Sequence, residues 1–78
     1  MTPSDISAMA HKLVGYARDE NTHDALSLVE ELFPAAHASE IARSCRYAVV
    51  IANDQGEFGV ASALQPIVEE AQRRELAS

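Results

Sequence analysis

Residues 39–61 read SEIARSCRYAVVIANDQGEFGVA. Ile41, Cys45, Ala48, Val49 and Ala52 recur at spacings of three and four, the period of one helix face. Tyr47, Val50 and Ile51 put apolar groups on other sides of the same helix. A helix apolar around most of its circumference is packed by neighbours on two sides, so this segment is expected at the centre of the fold. Ser39 is its expected N-cap, with Glu40 in the positively polarised first turn. Asn53-Asp54-Gln55-Gly56 ends the element, because Asn and Gly tolerate left-handed backbone and Gly commonly follows a helix end.

The flanking segments carry the same period. Upstream, Thr2 is placed to cap a first helix, with Pro3 at its first position and Asp5 in its first turn. Ile6, Met9, Leu13 and Ala17 follow on one face, and the polar run Arg18-Asp19-Glu20-Asn21 closes it. Thr22 is the expected cap of a second helix, with Asp24 near its positive end and Ala25, Leu26, Val29, Leu32 and Phe33 as its apolar face. Pro34 disfavours helical geometry at Phe33 and ends that element. Downstream, Phe58, Ala61, Leu64, Val68 and Ala71 form the apolar face of a fourth helix. Pro66 lies inside it, and the helix is expected to kink there, or to end and restart. Arg73 and Arg74 sit near its C-terminus, where the dipole favours cations. Short links between helices imply antiparallel neighbours. The fold expected is all-α: one domain over 1–78, four helices forming two antiparallel helical hairpins, 3–33 and 38–76.

Composition supports this and bounds the function. Of the 78 residues, 47% are apolar and fourteen are Ala, the best helix former, against three Gly and three Pro. The balance is 12 acidic against 6 basic residues, net −6. That excess argues against non-specific nucleic-acid binding and against an anionic membrane surface, both of which need clustered cations. Cys45 is the single cysteine, so no intrachain disulfide forms. Met1-Thr2-Pro3-Ser4-Asp5 carries no basic region or apolar leader core, and the longest apolar run is Tyr47 to Ala52; a cytoplasmic location is expected.

The two expected hairpins resemble each other at an offset of 35–36 residues. At 35, Ala17-Arg18-Asp19-Glu20 falls on Ala52-Asn53-Asp54-Gln55 and Ser27 on Ser62; at 36, Ala25 falls on Ala61. A period near 34 with helix–turn–helix units is that of tetratricopeptide repeats. Gln55-Gly56-Glu57-Phe58-Gly59-Val60-Ala61 is similar to the turn of such a repeat: Gly after the first helix, an aromatic two residues on, then Ala in the second. A tetratricopeptide-like (TPR-like) stacking of the hairpins is therefore expected.

The stretch from His23 to Leu32, then Ile41-Ala42-Arg43, then Ala52 to Phe58 and Ala61, resembles the small TPR-like chaperones of type III secretion systems. The resemblance covers about residues 22–64. It implies a cytosolic chaperone that, with a helical co-chaperone, holds the needle subunit as a monomer until export. It also implies that the first helix of each hairpin lines a concave surface. That would place Ala10 and Val14 from the first helix, and Arg43, Arg46, Tyr47, Val50 and Asn53 from the third, against a partner helix.

The residues themselves are compatible with such a role. Arg43 and Arg46 are a third of the cations and lie at i and i+3, on one face. Guanidiniums beside an apolar strip suit an amphipathic helix that also carries carboxylates. The competing reading pairs Arg43 with Glu40 and leaves Arg46 solvated. Two hairpins cannot cover every side of the third helix, so part of Tyr47, Val50 and Ile51 is expected to face a partner or a second copy in a homodimer. The excess of acid also fits a different class: a small acidic inhibitor or adaptor, of the kind phages and mobile elements encode, steered to a cationic host protein. Neither reading involves catalysis or a cofactor. His11, His23 and His37 are too widely spaced for a metal site, and Glu30-Glu31 and Glu69-Glu70 diverge around their helices. No phosphate loop or nucleophile motif is present.

Overall fold

Four helices account for the regular structure: α1 (Pro3–Arg18), α2 (Ala25–Leu32), α3 (Ala38–Asp54) and α4 (Phe58–Ala77). The computed structural model describes residues 2–77, and among these there is no strand. The all-α class follows from the 3.6-residue periodicity, as expected.

Each helix start has a local cause. At α1 the Thr2 hydroxyl accepts the Asp5 N–H at 3.3 Å, while the Asp5 carboxylate accepts the Thr2 N–H at 3.1 Å, a reciprocal capping box. Two expected caps are displaced. Thr22 does not cap α2: the helix begins after Asp24, whose side chain makes no capping bond, because the chain uses residues 22–24 to turn back from α1. Ser39 does not cap α3 either. The helix starts two residues earlier, behind His37 in extended backbone, and Glu40 accepts the His37 N–H at 2.9 Å. At Phe33 the backbone is non-helical (φ −128°, ψ 68°), as Pro34 requires, and α2 stops there after eight residues.

The ends of α1 and α3 share one construction. After α3, Glu57 N–H donates to the Ala52 carbonyl at 2.8 Å and Gly56 N–H to Asn53 at 3.0 Å. After α1, Asn21 N–H donates to Tyr16 at 2.8 Å and Glu20 N–H to Ala17 at 3.1 Å. Both are Schellman closures, which need a left-handed residue just past the helix. Gly56 meets the need with φ 75°; Glu20 adopts φ 61°. The two turns therefore correspond at an offset of 36, which sets Glu20 on Gly56 and not on Gln55, as the 35-residue match in the sequence has it.

Packing centres on α3, which makes its most extensive contacts with α4 and α1; α2 lies on α1 and touches α4 along an edge. The inner side of α3 consists largely of small groups: Ala42, Ser44, Cys45, Ala48 and Ala52 are wholly buried, with Ile41 and Ile51 at the margins. Met9 and Leu13 of α1 and Leu64 of α4, all wholly buried, supply the larger groups around them, and Val29 is buried on α2. The buried Ser44 hydroxyl donates to the Ile41 carbonyl at 2.7 Å, so its polarity is satisfied within the helix. Among the described residues no buried side-chain polar atom lacks a partner.

Three apolar positions differ from expectation. Phe58 is 67% exposed, because the first residue of α4 emerges from the turn before the helix settles onto α3. Leu32 is 53% exposed at the last turn of α2, where the chain leaves for Pro34. Ile51 is buried and unavailable to a partner. α4 continues from Phe58 to Ala77 as one helix through the exposed Pro66, so it neither ends nor restarts there. The proline costs the helix one N–H donor, on the side that faces water.

The two Schellman turns give a matched pair of expectations. A Cβ on Gly56 would meet nothing within 4 Å, so Gly56→Ala should cost only backbone strain, about 1 kcal/mol. Glu20→Gly should relieve strain of the same kind and raise stability by up to about 1 kcal/mol, less what Gly adds to unfolded-chain entropy. Chemical denaturation of the two variants against the parent protein checks both signs.

Candidate functional site

The outer face of α3 carries Arg43, Arg46, Tyr47, Val50, Asn53 and Asp54, all exposed. Tyr47 is 43% and Val50 50% exposed, on a helix whose opposite side is sealed in the core. The strip is held rigidly because α1 and α4 clamp that inner side.

Electrostatics separate this face from the rest of the surface. Arg18 makes a bidentate pair with Glu57, at 2.9 Å through Nε and 2.7 Å through Nη2, tying the end of α1 to the start of α4. Arg73 bonds Glu70 at 2.7 Å. Arg74 bonds Glu70 at 3.4 Å and also pairs with Glu30 of α2. Three of the five arginines are thus committed to carboxylates of this chain. Arg43 and Arg46 have no carboxylate partner among the described residues. A local Arg43–Glu40 pair does not form, and Glu40 turns back to cap the helix at His37.

Of the seven residues expected at a partner surface, five stand together on α3: Arg43, Arg46, Tyr47, Val50 and Asn53. The two from α1 do not join them. Ala10 and Val14 are buried, wedged against the inner side of the bundle, so no partner reaches them. The neighbouring surface of α1 is instead its first turns. There Pro3, Ile6 and Ser7 form, with Glu40, Arg43 and Tyr47, an open cleft of about 350 Å³. This cleft was not legible in sequence, because it depends on the first turns of α1 and α3 lying side by side. Asp54, in the sequence part of the turn that ends the helix, lies eleven residues after Arg43 and on the same line of α3.

Two further clefts flank the short α2. One of about 430 Å³ is lined mainly by Phe33, Pro34, Ala36, Ile41 and Ala71, with Glu30 and Arg74 at its rim. Another of about 310 Å³ lies between Leu26 and Ser27 of α2 and Ala63, Pro66 and Ile67 of α4. Their charged rim is already internally compensated by the Glu30–Arg74 pair.

Cys45 and His11 are engaged within the fold. The Cys45 thiol is fully buried, and desolvation pushes its pKa up to about 11, so it is a protonated packing group. His11 Nδ1 lies 2.8 Å from the Ser7 carbonyl within α1. Among the described residues no three His, Cys, Asp or Glu side chains are grouped to hold a metal ion. Compared with protein-family models, curated proteins and solved structures, the chain matches none.

Four carboxylates outside the α3 strip have pKa values below the ordinary range. Thr2 N–H lowers Asp5, His37 N–H lowers Glu40, Arg18 lowers Glu57 and Arg73 lowers Glu70. Groups with folded pKa values below their unfolded ones stabilise the fold above the unfolded value and lose that contribution as pH falls through the folded one. The unfolded values are 3.8 for Asp and 4.5 for Glu. Thermal unfolding midpoints should therefore change little between neutral pH and about pH 5, and fall progressively below about 4.5.

Proposed function

We propose that this chain is a cytosolic binding protein, a small chaperone with TPR-like hairpin stacking, that sequesters an amphipathic helix of a partner on the outer face of α3. A needle subunit of a type III secretion system is the partner class implied by the resemblance at residues 22–64. The chain acts by binding, without catalysis or cofactor. One observation carries the reading: two arginines without intramolecular partners share a rigid helix face with two half-exposed apolar side chains, in a chain whose other arginines are all paired. None of the described helices is long and apolar enough to cross a membrane.

Magnitudes indicate how such a surface works. Burying the remaining surface of Tyr47 and Val50 is worth on the order of 3 kcal/mol. Alone, that corresponds to roughly millimolar binding, before any cost of association. Useful affinity therefore requires the guanidiniums to meet carboxylates on the partner, or an additional side chain to enter the cleft between Ile6 and Tyr47. A partner helix with apolar anchors along one stripe and acidic residues flanking it satisfies both demands.

The test is a double charge reversal, Arg43→Glu with Arg46→Glu, in pull-downs with co-expressed candidate partners. Binding should be lost while far-UV circular dichroism keeps the parent helicity, because both side chains are exposed and unpaired. Binding that survives the reversal removes this face from the site. The same reversal separates the other class of reading: an acidic inhibitor acting through its carboxylates should tolerate it, with binding lost instead when outward carboxylates are neutralised.

A further inference from the structure

The α3 strip has an internal symmetry that a hetero-partner alone would not require. Arg43, Tyr47, Val50 and Asp54 follow at i, i+4, i+7 and i+11, all within about 60° of arc at 3.6 residues per turn. All four are exposed. Arg43 and Asp54 each lack an ionic partner among the described residues. The order along the helix is cation, aromatic, aliphatic, anion. Turned end for end about the midpoint between Ala48 and Val49, the strip places Arg43 opposite Asp54, and Tyr47 opposite Val50, in both directions. An isologous two-fold interface demands this kind of self-complementarity, in which residue i meets j and j meets i.

From this pattern we infer that α3 pairs antiparallel with α3 of a second copy, forming a two-fold homodimer. Tyr47 of each copy packs on Val50 of the other, and an Arg43–Asp54 ion pair closes each end. The apolar centre supplies the burial and the terminal pairs fix the register. Two copies of net charge −6 repel at long range, so association depends on the one surface where opposite charges can meet. The other exposed apolar side chains, Leu32, Phe58 and Leu76, lack this arrangement: each stands near a helix end without an aligned unpaired cation and anion. The dimer covers the surface assigned above to a partner helix. That regulatory consequence, self-association competing with capture, rests on the proposed function; the dimer itself does not.

Sedimentation equilibrium of the full chain, from about 10 µM to 1 mM, tests the pairing; a small interface is expected to dissociate within that range. The parent protein should show a reversible monomer–dimer equilibrium. Arg43→Asp and Asp54→Arg should each weaken it about tenfold or more by opposing like charges, and the double exchange should restore it to within about threefold of the parent. Circular dichroism of each variant confirms that helicity is kept. A parent chain that is monomeric throughout overturns the inference. So does a dimer insensitive to the single changes, or a double exchange as weak as either single one. The same double exchange separates the two readings. It rebuilds self-pairing but removes the Arg43 guanidinium from a hetero-partner, so dimerisation can fail while partner binding persists, or the reverse.

Discussion

Everything in this fold depends on how closely α1 and α4 approach α3. That approach is set by Ala42, Ser44, Cys45, Ala48 and Ala52, which have little or no side chain to hold the neighbours apart. A domain of this size buries only about 60% of its unfolded surface, so it cannot spare volume at its central crossing. Larger groups such as Met9, Leu13 and Leu64 are supplied by the flanking helices and fill around the narrow spine. Ser44 is admitted because it closes its hydroxyl onto Ile41 within the helix. Cys45 is admitted because its thiol stays protonated and behaves as a small apolar group.

With its inner side sealed, α3 displays the opposite side as a stiff outward rib. The ion pairs of the chain are distributed elsewhere. Arg18–Glu57 fastens the turn after α3, and Arg74 with Glu30 and Glu70 fastens α2 to α4. These pairs hold the less extensively packed parts of the molecule, and they leave the charges of the rib uncommitted. A face that is rigid, partly apolar and unneutralised loses little conformational entropy when it is covered, which favours its use as a binding surface.

Much of the architecture was legible in the chain, because periodicity and capping are local. The α1 cap at Thr2, the stop at Pro34, the left-handed Gly56 and the central place of α3 all follow from residues within a few positions of one another. The failures have a common origin in the turns. Thr22 and Ser39 are good caps by type, but the path of the chain out of the preceding turn decides where a helix begins, and it chose Asp24 and His37. Phe58 and Leu32 fit the periodic stripe of their helices but sit in terminal turns, past the reach of the core. The α3 half of the candidate surface was readable, since exposure on a helix follows from the position of its buried stripe. The α1 half was not: Ala10 and Val14 are small enough to line a groove or to fill a crossing, and only the packing of α1 on α3 distinguishes the two.

The central claim is that the outer face of α3 is where this protein is covered by another helix. Amide chemical-shift mapping of the labelled protein, titrated with an acidic amphipathic helical peptide, reads this residue by residue. Shifts concentrated at Arg43, Arg46, Tyr47, Val50 and Asp54, with weaker ones at Ile6 and Ser7, are expected. Shifts concentrated instead at Phe33, Ile41 and Ala71, in the cleft beside α2, would contradict a site on α3.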